Sequence, residues 1–342
     1  MPPPPEPSID EKKIQQSYIQ DATKTAFAEQ TKSRVEFVRR MMEKNDIRWS
    51  KVQEKVAKME DRRDQLLKAH DRESQKFLKM DEEYHQKARQ NLPISFTQEE
   101  WENQAEKTNK ALSKFFDYRK RMTDSAWKEI KKHVGSEDTS FETGSAPIKK
   151  VELKAGYPHN IELNDNQKQA VDAAEKRLSG AVSNSLRQRV EETEIESIGE
   201  DQRQRAYFAG ARHGKGGSFI YLPRSTDEQT VAHEFGHSLE TNAGIHAAAQ
   251  GFLYHRVNGE GCKPMSESKL AGNFDSWEVG RDDEFSKAFG DSARYVGKHY
   301  KTNDTEIVSM GLEHMVSNPV NFARKDPEYF KFMLGVLDGT FS

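Results

Sequence analysis

Two histidines stand four residues apart in the segment VAHEFGHSLE at residues 231–240, with a glutamate directly after the first. On an α-helix, positions i and i+4 face the same way, so His233 and His237 can present two imidazoles to one ion. Zinc binds neutral imidazole and, in a catalytic site, takes a third protein ligand and a water molecule. Glu234 lies where a carboxylate can reach that water as general base. The spacing therefore predicts a hydrolytic site with one zinc ion (Zn2+) per chain.

The third ligand has to come from outside this motif. A site of the H-E-x-x-H-x-x-G-x-x-H kind needs glycine at position 240 and histidine at 243, but the chain has Glu240 and Ala243. An acidic ligand from a later helix is the other solution. The segment TNDTEIVSMGLEHM at 302–315 predicts such a helix, with Asn303, Asp304 and Thr305 as candidate caps.

Within that later helix we choose Glu306 as third ligand and keep Glu313 as the alternative. Ser309 shares a helix face with Glu306 and is expected to support it. Three further acidic residues are poorer candidates and are interpreted as solvated turn charges: Asp282, Asp283 and Glu284. Gly236 predicts close packing against the motif helix, because a glycine in mid-helix costs about 1 kcal/mol relative to alanine.

The elements that must position this motif are short strands followed by a capped helix. IESI, RAYFAG and SFIYLP are three strand-like runs, and VELKAG and HNIELN are two more candidates. DNQKQAVDAAEKRLSGAVSNSL predicts an amphipathic helix. Ser225 with Glu228 offers a capping box for the motif helix. We expect FIYL, directly before the motif, to be the edge strand along which an extended peptide substrate pairs.

The first half of the chain has a different character. Residues 1–7 are a proline-rich leader, and the stretch from Ser8 to about residue 90 contains no glycine or proline. Capping boxes at Ser8 and Thr97 predict long helices up to about residue 133. Residues 135–150 are rich in Gly, Ser and Thr, which is typical of a linker. The predicted organisation is therefore a leader 1–7, a helical, coiled-coil-like region 8–134, a linker 135–150 and a domain 151–342, with an α+β fold class.

Composition excludes several classes of partner. The formal net charge of the 342 residues is −3, so we expect no nucleic-acid partner. No apolar run approaches the roughly 18 residues of a membrane span. The single cysteine, Cys262, fits a reducing compartment, and the N-terminal segment lacks the pattern of a secretory signal. A cytoplasmic location is the default expectation, with export by another route or inclusion in a phage particle as alternatives.

The motifs together resemble a known family. AHEFGHSLE, GFLYHRVNGE, YVGKHY, TEIVSMGLEHM and DPEYFKFMLGVLDG, between about residues 232 and 339, resemble the zincin-like metallopeptidases of the gluzincin clan. The resemblance is strongest to those of bacterial polymorphic toxins and those attached to phage head-morphogenesis proteins. The layout is also similar to the catalytic domain of anthrax lethal factor. This implies a small twisted sheet over the motif helix, with a glutamate helix beside it.

The resemblance also implies roles for particular residues. It makes His233 and His237 ligands, Glu234 the base and Glu306 the third ligand. An assisting tyrosine shortly before the ligand glutamate corresponds to Tyr300, with Tyr295 as its competitor. Glu240 corresponds to an acidic residue that orients a ligand histidine. The chain departs from the thermolysin pattern at Met310, where those enzymes carry an aspartate, so a thermolysin-type set of supporting residues is in doubt.

Two functions follow from these features. The first is a zinc-dependent endopeptidase in which a zinc-bound water attacks the peptide bond with Glu234 as general base, acting on a protein or peptide substrate. The second is a structural or interaction protein, a phage-particle or effector component that retains a zincin-like module. In that case residues 8–134 form the assembly element. In both cases the N-terminal helices are candidates for self-association.

Overall fold

A computed structural model describes the chain in several stretches separated by gaps. These are residues 8–25, 29–134, 163–183, 186, 193–197, 205–210, 218–257, 261–267, 278–281, 289–290, 293–300 and 304–342. The predicted leader 1–7, the linker 135–150, the strand candidate VELKAG and most of HNIELN lie outside the described residues, as do Asp282, Asp283 and Glu284. The division of the chain into two domains at residue 150 therefore stays a prediction.

Long helices form the first half, as the absence of glycine and proline predicts. They are α1 (Ile9–Thr25), α2 (Glu29–Arg89) and α3 (Gln98–His133). Both predicted capping boxes are confirmed: Ser8 exchanges bonds with Glu11, and Thr97 exchanges bonds with Glu100. Asn91 turns the chain between α2 and α3 with a left-handed backbone at φ 52°, which asparagine tolerates better than most residues.

The second half combines short strands with helices. In chain order they are α4 (Asp165–Leu178), β1 (Thr193–Ser197), β2 (Tyr207–Ala209), β3 (Ser218–Leu222), α5 (Glu228–Glu240), α6 (Ala243–Val257), β4 (Lys263–Pro264), β5 (Val279–Gly280), α7 (Ala293–Val296), α8 (Ile307–Ser317), α9 (Pro319–Lys325) and α10 (Pro327–Leu337). A 3-10 turn, Met265–Glu267, follows β4. The three predicted strands IESI, RAYFAG and SFIYLP are confirmed as β1, β2 and β3.

The sheet order is β1-β3-β2, with β1 parallel and β2 antiparallel to β3. The expectation that FIYL is an edge strand is wrong, because β3 is hydrogen-bonded on both sides. Its apolar run fits this central position: Phe219, Ile220 and Leu222 are buried. The edges of this sheet, among the described residues, are β1 and β2. A separate pair, β4 with β5, lies nearer the C-terminus.

The long N-terminal helices share one hydrophobic core with the C-terminal helices. Trp49 of α2 is 1% exposed, and its indole packs over Gly335 of α10. Trp127 of α3 is also buried, and its Nε1 donates to the carbonyl of Met315 in α8 at 3.0 Å. Arg48 and Trp49 both bond the carboxylate of Asp338. The glutamate helix α8 is thus held from one side by the first half of the chain.

None of the helices in the described part of the chain combines the length and apolar character that crossing a bilayer requires.

Candidate metal centre

Helix α5 carries the motif and buries it. Asp227 caps its N-terminus, with Oδ1 accepting from the backbone N–H of Thr230 at 2.8 Å. The predicted capping box of Ser225 with Glu228 is therefore wrong, because the helix begins two residues later than that pairing requires. His233 and His237 lie on one face with ring centroids 5.1 Å apart. The spacing prediction for this pair is confirmed.

Helix α8 packs across α5 at Gly236. A Cβ atom on this glycine would lie 2.4 Å from Ser309 Cα and 2.9 Å from the carbonyl carbon of Val308. The predicted close packing at Gly236 is confirmed, and its partner is backbone. Only glycine allows the two helices to approach this closely, and the approach brings the first turn of α8 next to the two histidines.

Glu306 lies at the N-cap of α8, and its side chain completes the cluster. The predicted N-caps at 303–305 would place the start of the helix too early, because α8 begins at Ile307. Glu306 Oε2 is 3.3 Å from His233 Nε2 and 3.2 Å from His237 Nε2. Among the described residues, these three offer ligand atoms close enough to share one ion.

The donor set fits a tetrahedral zinc ion. Ligands at about 2.0–2.1 Å from zinc stand about 3.3–3.4 Å from one another in tetrahedral geometry, which matches the two measured separations. Two imidazoles and one carboxylate are also a ligand combination of catalytic zinc. Burial alone would raise the pKa of Glu306, but the neighbouring His237 and His233 hold that pKa well below its usual range. The Glu306 carboxylate is therefore ionised.

Further side chains hold the ligands in place. Ser309 Oγ donates to Glu306 Oε2 at 2.6 Å, and the Tyr300 hydroxyl donates to the other oxygen, Oε1. His233 uses its remaining nitrogen, Nδ1, to contact Glu313 Oε2 at 3.1 Å. Glu313 therefore contacts one histidine of the group that could hold a metal ion, and Glu306 is the acidic member of that group. Sequence reasoning did not predict this contact for Glu313, although its place two turns after Glu306 puts both residues on one helix face.

Glu240 has a different partner from the one the resemblance implies. Its Oε1 accepts from the backbone N–H of Thr305 at 3.0 Å and from the Thr305 hydroxyl at 2.9 Å. Thr305 directly precedes Glu306. Glu240 thus fixes the chain that carries the third ligand, and its hydrogen bonds go there instead of to a ligand histidine. This contact depends on tertiary packing between α5 and α8, which no local pattern encodes.

Glu234 is buried beside the cluster with an unused acceptor. It is 4% exposed, and its Oε2 has no hydrogen-bond partner among the described residues. Burial raises the pKa of Glu234, and the nearby His233 and His237 partly oppose that shift. A buried carboxylate oxygen left without a donor is unfavourable unless something else supplies a proton there. Glu234 Oε2 is therefore placed to accept a proton.

Both candidate tyrosines lie at the cluster. The Tyr295 ring is 6.0 Å from the His233 ring, while Tyr300 bonds Glu306 directly. Burial, followed by the charge of Glu306, raises the pKa of each phenol well above its ordinary value. Both remain protonated donors at neutral pH. The structure thus brings both candidates to the site, and the choice between them stays a prediction.

The cluster opens onto a cleft of about 960 Å³. Strand β2 forms one wall of it, and Phe208 stacks on the His237 ring with centroids 6.5 Å apart. In the described sheet β2 is an edge strand, and its three residues line the cleft.

Comparison of the chain with protein-family models, with curated proteins and with solved structures finds no match.

Proposed function

We propose that the protein is a zinc-dependent endopeptidase of the zincin type. The observation that carries the proposal is the buried group of His233, His237 and Glu306 with the unpaired Glu234 oxygen beside it, at the wall of an open cleft. Histidine, histidine and glutamate would hold the ion. When bound, zinc polarises a carbonyl and makes a water molecule acidic enough to ionise near neutral pH.

Each residue has a defined task in peptide hydrolysis. Glu234 Oε2 accepts the proton of the attacking water and then passes it to the departing amine nitrogen. The phenol of Tyr300 or Tyr295 donates a hydrogen bond to the oxygen that becomes negative in the tetrahedral intermediate. The edge strand β2 pairs with the backbone of an extended substrate, so main-chain hydrogen bonds align the scissile bond.

The decisive experiment is the isosteric variant Glu234→Gln. It keeps the size of the side chain but cannot take up a proton, so we expect zinc to be retained and cleavage of unfolded peptides to fall about 10²- to 10⁴-fold. Glu228→Gln, in the first turn of the same helix, is the matched control and should cleave as the wild type does. Cleavage by Glu234→Gln at the wild-type rate would rule out the mechanism.

A second candidate function is assembly through the N-terminal helices. Along α2 and α3, the large apolar side chains of Leu78 and Phe116 face solvent and are 53% and 52% exposed. These helices would then mediate self-association or attachment to a larger particle. Light scattering of purified protein tests this: a concentration-dependent mass lost in Leu78→Gln/Phe116→Gln supports assembly, and a monomer at all concentrations refutes it.

A further inference from the structure

The N-terminal helix α2 docks directly on α6, the helix that follows the motif. The backbone carbonyl of Arg34 lies 2.5 Å from the place that a Cβ on Gly251 would occupy, and a Val38 methyl lies 3.0 Å from it. Glycine at 251 therefore lets the backbone of α2 rest on α6. The contact also brings the guanidinium of Arg34 against the side chain of Gln250, which is 2% exposed.

From this contact a directional chain of hydrogen bonds runs toward the metal centre. Arg34 Nη1 donates to Gln250 Oε1, and Gln250 Nε2 donates to His246 Nε2 at 2.9 Å. Because a guanidinium can only donate, Gln250 has to turn its oxygen toward Arg34 and its NH2 toward His246. The Nε2 atom of His246 is then an acceptor, so in the neutral ring the proton resides on Nδ1.

The protonated nitrogen of His246 faces the carboxylate that fixes the third ligand. His246 Nδ1 is 3.6 Å from Glu240 Oε1 and 3.9 Å from Asp304 Oδ1, so this link is a polar contact longer than a hydrogen bond. The same Glu240 oxygen accepts both bonds from Thr305. Thr305 Oγ1 in turn accepts from the backbone N–H of Ile307 at 3.1 Å. Thr305 and Ile307, the residues on either side of Glu306, thus belong to the same series of hydrogen bonds.

We propose that Arg34 is a positioning residue for Glu306, acting through Gln250, His246, Glu240 and Thr305. Arg34 orients the amide of Gln250, which selects the His246 ring form that presents N–H to Glu240. Glu240 then holds Thr305, and Thr305 sets the backbone from which Glu306 projects into the cluster. The first half of the polypeptide thereby helps to position a residue of the metal site. The inference rests on the proposed metal centre, but not on peptide cleavage.

The test is Arg34→Gln in the full chain with two readouts. Zinc affinity is measured by competition with a chromogenic chelator, and exchange of the Thr305 amide hydrogen is measured in metal-free protein. Loss of residues that support zinc ligands weakens metal binding about 10- to 100-fold. For Arg34, which acts through intermediates, we expect about 10-fold weaker zinc binding and faster Thr305 exchange.

A matched control exists on the same helix. Among the described residues Arg39 bonds to Glu36 and Glu43 of α2, so Arg39→Gln removes an arginine without affecting the hydrogen bonds from Arg34 to Thr305 and should leave both readouts unchanged. Arg34→Lys keeps a hydrogen-bond donor at this position and should retain more zinc affinity than Arg34→Gln. His246→Phe keeps a ring but removes both nitrogens, and should reproduce the loss seen in Arg34→Gln.

The double variant Arg34→Gln/His246→Phe distinguishes a connected series of hydrogen bonds from two independent local defects. Residues that act in series give non-additive effects, so the double variant should bind zinc no more weakly than either single variant. Additive losses, or unchanged zinc affinity and Thr305 exchange in Arg34→Gln, would overturn the inference. Zinc binding that responds as expected in a protein that cleaves no peptide would instead reject the proposed peptidase function and leave this inference standing.

Discussion

Replacing Gly236 by alanine should separate the two helices that build the metal centre. The added Cβ would stand 2.4 Å from Ser309 Cα, and ordinary contact begins near 3.4 Å, so α8 has to move by about 1 Å. Overpacking against backbone, which has no rotamer to change, costs about 3 kcal/mol. The better helix propensity of alanine returns about 1 kcal/mol. We therefore expect a net loss of about 2 kcal/mol in the free energy of unfolding.

The same displacement should abolish zinc binding. Metal–ligand distances tolerate about 0.2 Å, so a shift of about 1 Å in the helix that carries Glu306 exceeds what the cluster absorbs. The assay is urea unfolding of metal-free protein, together with zinc content per chain. Gly311→Ala is the matched control, because its Cβ would meet mainly the flexible side chain of Met333. That variant should be destabilised less than Gly236→Ala, because its Cβ meets side chains that can shift and no backbone.

The outcome that would refute this reasoning is a Gly236→Ala protein with wild-type stability and zinc content. It would mean that α5 and α8 do not meet at Ser309. The close approach of these helices could then not explain how Glu306 reaches the histidines. Equal destabilisation of Gly236→Ala and Gly311→Ala would also contradict it, since only the first substitution meets backbone.

Three other predictions concern the support of the site. Trp127→Phe leaves the buried carbonyl of Met315 without its donor and should lower the free energy of urea unfolding by about 1–3 kcal/mol; a change below about 0.5 kcal/mol would contradict the contact. Hydrogen bonds from Lys55 and then Lys132 hold the pKa of Glu129 at about 2, below its usual 4.5. A lowered folded-state pKa stabilises the protein above pH 4.5, and this contribution is lost as pH falls toward 2. The stability gap between wild type and Glu129→Gln should therefore close over that range in urea titrations, and a constant gap would refute the assignment. At saturating zinc, Tyr300→Phe should lower kcat for peptide cleavage about 10-fold to 10³-fold; an unchanged kcat, with loss in Tyr295→Phe, would transfer the role to Tyr295.

The parts of the site that depend on local spacing could be predicted from the sequence. His233, Glu234 and His237 lie within one helical turn and a half, so the helix period alone places them together. The cost of glycine in a helix likewise indicated a close neighbour at Gly236. Glu306 is 69 residues beyond His237 and was chosen over Glu313 on the later predicted helix; its carboxylate lies 3.3 Å from His233 Nε2 and 3.2 Å from His237 Nε2.

The parts that depend on tertiary packing could not be predicted. Alternation of apolar residues identified the strands but not their order, so β3 was taken for an edge although it is central. The resemblance implied that Glu240 orients a ligand histidine, whereas tertiary packing gives it two hydrogen bonds from Thr305, which no local pattern indicates. The long helices followed from composition, but nothing in their pattern showed that Trp49 and Trp127 bury themselves against the C-terminal helices.

The central claim is tested most directly by zinc content per chain. Purified protein is dialysed without strong chelator and measured by elemental analysis, beside Glu306→Gln and the Glu228→Gln control. The account predicts a ratio near one for the wild type and the control, and a ratio well below one for Glu306→Gln. A ratio near zero in folded wild-type protein, not restored by added zinc, would show that the His233, His237 and Glu306 cluster does not hold the ion.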